Sequence, residues 1–509
     1  MADETVLRVA TCVAAAGFDS EVEQLVGLSR ALWGDLQLWG AHRLYQGAGG
    51  RTHLMYSART GQTERVVFLL GAGAVLAQGD ARGRTALHRA VGFGHVAAAT
   101  LLLDAGADIS AVAKGLTCLM LACHTGHREM VALLLRRGAS VEEAYISGPD
   151  TESSDCDCTV LMEAAKEGHV EVVRLLVEQG GADVNREVGC GNALFFAIKS
   201  GSLALVAFLL DAGAAVAATT PEYHPLSMAA EQGQDAISAA LMQRGASTEV
   251  EDRGRTPLMH ASVGGHASTV RMLCAAGAAV NTQSEDTCMT ALMHACCEGH
   301  MRTVQELLRL GADAELAKPC GCTAMSVAAM KGRAECVAVL LEEGAEHSPE
   351  SECPSPLVLA CAGPHLEAAR LLLEAGARTL PSDPQDCDLL MNACTRGQVD
   401  MVRLLVEVGE MDASSAMPNG LAPVHFAALE GETECLRVLI ELGADVNATG
   451  SELHCTPLML AARAGHKGCV RVLLLAGANK KATDSEGCTA WRLAKDQGSL
   501  TAAVRKLLR

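Results

Sequence analysis

The chain has 509 residues, of which 49% are hydrophobic and only 3% aromatic, with 50 glycines and a formal net charge of −19. Such an acidic surface repels phosphate backbones and anionic lipid, so nucleic acid and membrane are disfavoured as main partners. No stretch approaches the roughly 20 uninterrupted apolar residues of a membrane span, and the opening MADETVLRVA carries acidic residues where a secretion signal needs basic ones. The 21 cysteines are therefore expected to be reduced thiols in the cytoplasm or nucleus.

Residues 1–47 read as two helical stretches, Glu4 to Ala16 and Ser20 to about Tyr45. Their expected role is a cap that covers the adjoining segment from residue 48 with Trp33 and Trp39. Residues 28–39 faintly resemble the second half of an F-box, without its Leu-Pro opening and with closer tryptophans. That resemblance implies the alternative role, docking to the adaptor of a cullin-type ubiquitin ligase.

From residue 48 one pattern recurs. A Thr-like residue, a small residue or Pro, Leu, two variable residues and two small residues start at Thr52, Thr85, Thr117, Thr159, Asn192, His224 and Thr256, then Thr290, Thr323, Ser355, Asp388, Ala422, Thr456 and Thr489. The spacing is 32 to 34 except for 42 between Thr117 and Thr159, and a period near 33 marks a solenoid. Thr and Ser cap helix N-termini, and Pro is tolerated at the next position, so Thr256-Pro257, Ser355-Pro356 and Thr456-Pro457 start helices. The paired small residues, such as Ala164-Ala165, let a second helix approach. Gly-His pairs such as Gly94-His95 end the first helix, and a leucine-rich second helix ends at Gly-Ala, with the one departure at Gly409-Glu410.

Turn, short helix, turn, longer helix and extended loop make up the ankyrin unit, which Asp252–Leu258 and Gly181–Asn185 closely resemble. The resemblance runs from 48 to 509 in some fourteen copies and implies an all-α solenoid whose stacked units share one core. His224 replaces the anchor Thr in repeat six, Asn192 and Asp388 keep a capping residue type, and Pro364 stands where repeat ten should have its turn glycine, so a distorted turn is expected there. Residues 145–157, polar and acidic, read as a long finger loop, and 485–509 as a C-terminal capping repeat.

No Gly-Lys dipeptide, His-Glu-x-x-His or Gly-x-Ser-x-Gly occurs, so nothing points to catalysis or a cofactor. Cys123, Cys296, Cys361 and Cys394 stand in the second small position, while Cys336, Cys435 and Cys469 stand where Val172 does, which reads as core rather than metal ligation. The histidines after the turn glycines read as structural. Met55, Met120, Met162, Met259, Met293, Met391 and Met459 replace the family's usual His, exchanging hydrogen bonding for packing, or else lining an adaptable groove.

The family resemblance implies that proteins or peptides bind the concave face formed by first helices and fingers. The site residues it nominates are Glu163, Phe196, Met228, His260 and His294 at the second variable position, with Lys166 and Lys199 near the turns. Tyr145, Phe196 and Tyr223 gather scarce rings in repeats three to six, and interface hot spots favour such residues. The resulting expectation is a scaffold or adaptor, with no enzymatic role and no metal.

Overall fold

The computed structural model describes residues 50–142, 144–145, 158–188, 191–217, 224–346, 353–377, 386–450, 454–496 and 502–508. Residues 1–47, Tyr223 and most of the 145–157 loop lie outside the described residues. The described chain is mainly helical, with 28 helices of seven to ten residues arranged as fourteen consecutive pairs. It divides into two compact units, Met1–Ala229 with Gln234–Ser247, and Ala230–Gly233 with Thr248–Arg509.

The same local causes act within each unit. In repeat three, Thr117 is extended and its hydroxyl accepts from the Met120 N–H at 3.3 Å, which fixes the start of helix Cys118–Thr125. Thr52, Thr159, Thr256, Thr290, Thr323, Ser355 and Thr456 do the same for their helices, and the Asn192 carboxamide accepts from Phe195. Two anchors differ. Ala422 has no side-chain acceptor, so its N–H is taken by His425 Nδ1 at 3.0 Å. Helix Asp386–Thr395 starts before Asp388, which therefore lies inside the helix and not at its cap, a correction to the sequence reading.

The core lies between the helices. Leu119, Met120, Ala122 and Cys123 of the first helix in repeat three are buried with Met130, Val131 and Leu134 of the second. Met55, Met120, Met162, Met259, Met293, Met391 and Met459 are all at most 3% exposed, so these methionines line no groove. Packing does not fully replace hydrogen bonding either. The sulfurs of Met162 and Met459 each accept from the N–H of the capping threonine at 3.4 Å, the task that His88 Nδ1 and His425 Nδ1 perform in their repeats.

Gly265 shows why the first helix ends as it does. Its φ of 77° is left-handed, and a Cβ there would stand 2.6 Å from Nδ1 of the His300 ring. At Pro364 the turn is indeed altered: Gly363 takes an extended φ of −103° with ψ −180°. In repeat eleven Glu410 occupies the left-handed position at φ 55°, which accounts for the broken Gly-Ala ending. Among the described residues the only strands are short hairpin stems in two fingers, Val112–Ala113 with Leu116–Thr117 and Ala144–Tyr145 with Cys158–Thr159. The second is the antiparallel stem of the long finger, pairing Tyr145 with Cys158.

Candidate interaction surface

Each first helix puts one face into the core and turns the other, with its finger, outward. A second device then fixes how one repeat follows another. At eight joints the residue after the turn glycine reaches back to the preceding repeat, where the last carbonyls of the first helix lack intrahelical donors. Nε2 of His95 donates to the Arg59 carbonyl at 2.8 Å, His169 to His124, His266 to Glu231, His300 to Val263 at 2.9 Å and His466 to Leu429. Where the residue is not His, the Gln234 and Gln398 amides and the Arg333 guanidinium make the equivalent bond, to Ile198, Gly363 and Cys297. These histidines are structural, as their position after glycine suggests.

The nominated partner-binding residues fall into three groups. Lys166 and Lys199 are exposed at the ends of their helices, and Glu163 and Met228 are half-buried on theirs. Phe196, His260 and His294 are only 5%, 5% and 4% exposed and present almost no surface, which corrects their selection by position. Phe196 packs edge-on against Phe195 with ring centroids 5.0 Å apart, and His260 Nε2 donates to the Asp252 carbonyl at 3.2 Å. Tyr145 is placed by its backbone in the finger stem, and Tyr223 lies outside the described residues.

The electrostatics follow burial. Burial, reinforced by Arg255, His260 and Lys318, lowers the pKa of His294 to about 4, so it is neutral at pH 7. Burial alone would raise the Asp80 carboxyl, but the N–H groups of Arg84 and Arg82 and the Arg89 guanidinium bring it down to about 2. Burial raises the Cys118 and Cys361 thiols to about 12 and pushes Cys123 and Cys394 up as well, so these thiols are inert core groups. His124 Nδ1 bonds Glu163 at 2.8 Å and lies 3.6 Å from Glu167. The three side chains are close enough to share a cation, but His124 is half-exposed and its Nδ1 is already hydrogen-bonded to Glu163, so the group is an ordinary surface cluster.

Two residues missed by the sequence reading stand out. Tyr56, on the first helix of repeat one, and Phe93, which caps the end of the first helix of repeat two, are 56% and 48% exposed, and no other described aromatic side chain is exposed. The Arg59 guanidinium lies 5.0 Å from the Phe93 ring centroid. A faint signal existed, since Tyr56 occupies the same second variable position as Glu163.

Capped helix pairs of fixed period, joined by ring-to-carbonyl bonds and finger hairpins, define a repeat protein built for display of a surface. The chain belongs to the ankyrin-repeat family: the model for "Ankyrin repeats (3 copies)" matches in overlapping stretches from residue 13 to 351 and again over 357–450, and that for a single ankyrin repeat matches 453–485. Among curated relatives, ankyrin repeat and SOCS box protein 16 of Mus musculus is 32% identical over 210 residues, 40% of this chain and 46% of that protein. An ankyrin repeat and KH domain-containing protein of Caenorhabditis briggsae is 35% identical over 119 residues, 22% of this chain and 4% of that one. This chain thus spans less than half the length of either relative. The crystal structure of the human ASB11 ankyrin repeat domain aligns with TM-score 0.30 at 27% identity, covering 50% of this chain and 97% of that one. No helix among the described residues is long and apolar enough to cross a membrane.

Proposed function

We propose that this chain is a non-catalytic scaffold or adaptor of the cytoplasm or nucleus that binds proteins or peptides through the face carrying its first helices and fingers. The observation that supports this reading is the repeat itself. Ankyrin repeats are protein-interaction modules, and their polar groups here are used to hold the stack together, as the backward histidine bonds show. On that face Lys166, Lys199, Glu163 and Met228 are accessible beside the stem that carries Tyr145, a local basic element suited to an acidic, apolar peptide. The test is affinity purification followed by binding measurements with Lys166→Glu and Lys199→Glu. Loss of binding with the helical signal intact supports the assignment, and unchanged binding moves the interface elsewhere.

The second reading, a substrate-recognition subunit of a cullin-type ubiquitin ligase, depends on residues 1–47. One relative is named for a SOCS box joined to ankyrin repeats, so such repeats do occur beside a second module. The family model matches from residue 13, which speaks for the first reading. Co-purification of the ligase adaptor with the full chain, lost on replacing Trp33 and Trp39, would decide for the ligase subunit.

A further inference from the structure

The first two helix pairs carry a surplus of positive charge although the chain as a whole is acidic. Residues 50–104 contain six arginines and no lysine against Glu64, Asp80 and Asp104, a net +3 within a chain of −19. Part of this charge is neutralised internally. Asp80 is taken by both Arg89 at 2.5 Å and Arg84 at 3.1 Å, so one carboxylate serves two guanidiniums. Arg59 has no carboxylate partner among the described residues and is exposed, with its guanidinium over Phe93.

The apolar part of the patch is continuous with the basic part. Tyr56 and Arg59 stand one turn apart on helix His53–Thr60. Phe93 follows on the next repeat, beside Gly92, which has no side chain. Leu121 of the third repeat closes on that glycine, where a Cβ would meet Leu121 Cδ2 at 3.2 Å. The exposed rings are thus flanked by a half-buried leucine and the Arg59 guanidinium, and tyrosine and arginine are enriched among interface hot spots.

We propose that Tyr56, Arg59, Phe93 and Leu121 form a docking surface for an acidic peptide segment of another protein that carries aromatic or aliphatic residues between its carboxylates. The carboxylates complement Arg59 and the surplus positive charge of the first two repeats, and the apolar residues cover Tyr56 and Phe93. Residues 454–508 are also net positive, with nine Lys and Arg against three Asp and Glu, but among the described residues they carry no exposed Phe, Tyr or Trp ring, so exposed rings and surplus positive charge coincide at this end. The proposal rests on the reading of the chain as a protein-binding array but uses a different surface from repeats three to six. A partner held through Lys166 and Lys199 would therefore survive its failure.

The test is fluorescence anisotropy on the full chain with a labelled twelve-residue peptide of alternating Glu and Phe. Length-matched polyglutamate, a Ser/Phe peptide and single-stranded RNA serve as competitors. The Glu/Phe peptide is expected to bind, more weakly by about tenfold when salt is raised from 0.05 to 0.5 M. Arg59→Glu and Phe93→Ala should each weaken it at least about fivefold, as truncating a hot-spot residue does, whereas Arg437→Glu in the other unit should leave it unchanged. Arg59→Glu should also gain binding to a Lys/Phe peptide, a readout that a misfolded variant cannot give. Equal or stronger competition by RNA or polyglutamate, indifference to both variants, or no binding of the Glu/Phe peptide, as would follow if residues 1–49 already covered the patch, overturns the proposal.

Discussion

Replacing Gly265 by Ala tests whether the repeats are joined by the histidine bond. Two costs follow from the structure. The left-handed φ of 77° costs a non-glycine residue about 1–2 kcal/mol, partly offset by the lower entropy of the unfolded Ala chain, about 0.4–1 kcal/mol. The new Cβ would also lie 2.6 Å from His300 Nδ1, so the ring must swing away and give up its 2.9 Å bond to the Val263 carbonyl, worth about 1 kcal/mol, together with its packing. Gly265→Ala alone should therefore cost about 2–3 kcal/mol in total from these terms. In a His300→Ala background the ring is already gone, and the same change should cost only about 1 kcal/mol. The coupling of about 1 kcal/mol or more is read from a double-mutant cycle. The assay is urea unfolding combined with hydrogen exchange of amides in Pro257–Gly264 and Met301–Arg309, since a repeat array need not unfold in one step. Additive effects of the two substitutions would refute the claim that ring and glycine are complementary halves of one joint.

Four other outcomes are expected. Between pH 6.5 and 4 the unfolded chain binds a proton at His294 that the folded chain does not, so stability falls as pH drops through that window, by on the order of 2 kcal/mol at pH 5. His294→Gln should flatten the thermal melting profile there, and an unchanged profile would show that the ring titrates normally. Lys114 holds φ 52° before Gly115 in a hairpin turn that favours Asn-Gly, so Lys114→Asn should raise stability by about 0.5 kcal/mol in urea titration, and a loss would mean that the lysine has a role of its own. Native alkylation followed by mass spectrometry should modify exposed Cys320, whose thiol pKa is lowered by hydrogen bonds from Cys322, before Cys123, Cys361 or Cys394, and the reverse order would contradict their burial. Deleting residues 148–156 should leave the unfolding midpoint unchanged if the segment is a finger loop above the stem of Tyr145 and Cys158, whereas marked destabilisation would contradict that assignment.

The fold was legible because its signals are local and repeated. A capping Thr such as Thr117 or Thr290, a turn glycine and a Leu-rich second helix recur in most copies, and each has a backbone cause. Departures were legible in part. Pro364 announced its altered turn and Gly409-Glu410 its broken ending, but the sequence did not show that Glu410 itself would take the left-handed position. The interaction surface was much less legible, because repeat position says which helix a residue is on and not how deeply its neighbours cover it. Phe196 and His294 share a position with Tyr56, yet two are buried and one is exposed. The sulfur acceptors at Met162 and Met459 were missed for a related reason, since the sequence distinguishes packing from hydrogen bonding only when the partner atom is known.

The backward bonds also have a mechanical consequence. At two places the residue that should reach back is unable to donate in the usual way. Ser202 has a short side chain that caps its own helix by accepting from Leu205 and makes no bond to the preceding repeat, and Glu432 is a carboxylate with no proton to offer a carbonyl. The steps from repeat four to five and from eleven to twelve therefore lack the clasp that His169 or His466 supplies, and those at His127 and His365, whose rings make no such bond among the described residues, lack it too. Under tension applied along the chain these steps should yield first, so that each unit breaks into blocks of whole repeats and the rupture points are set by single residues.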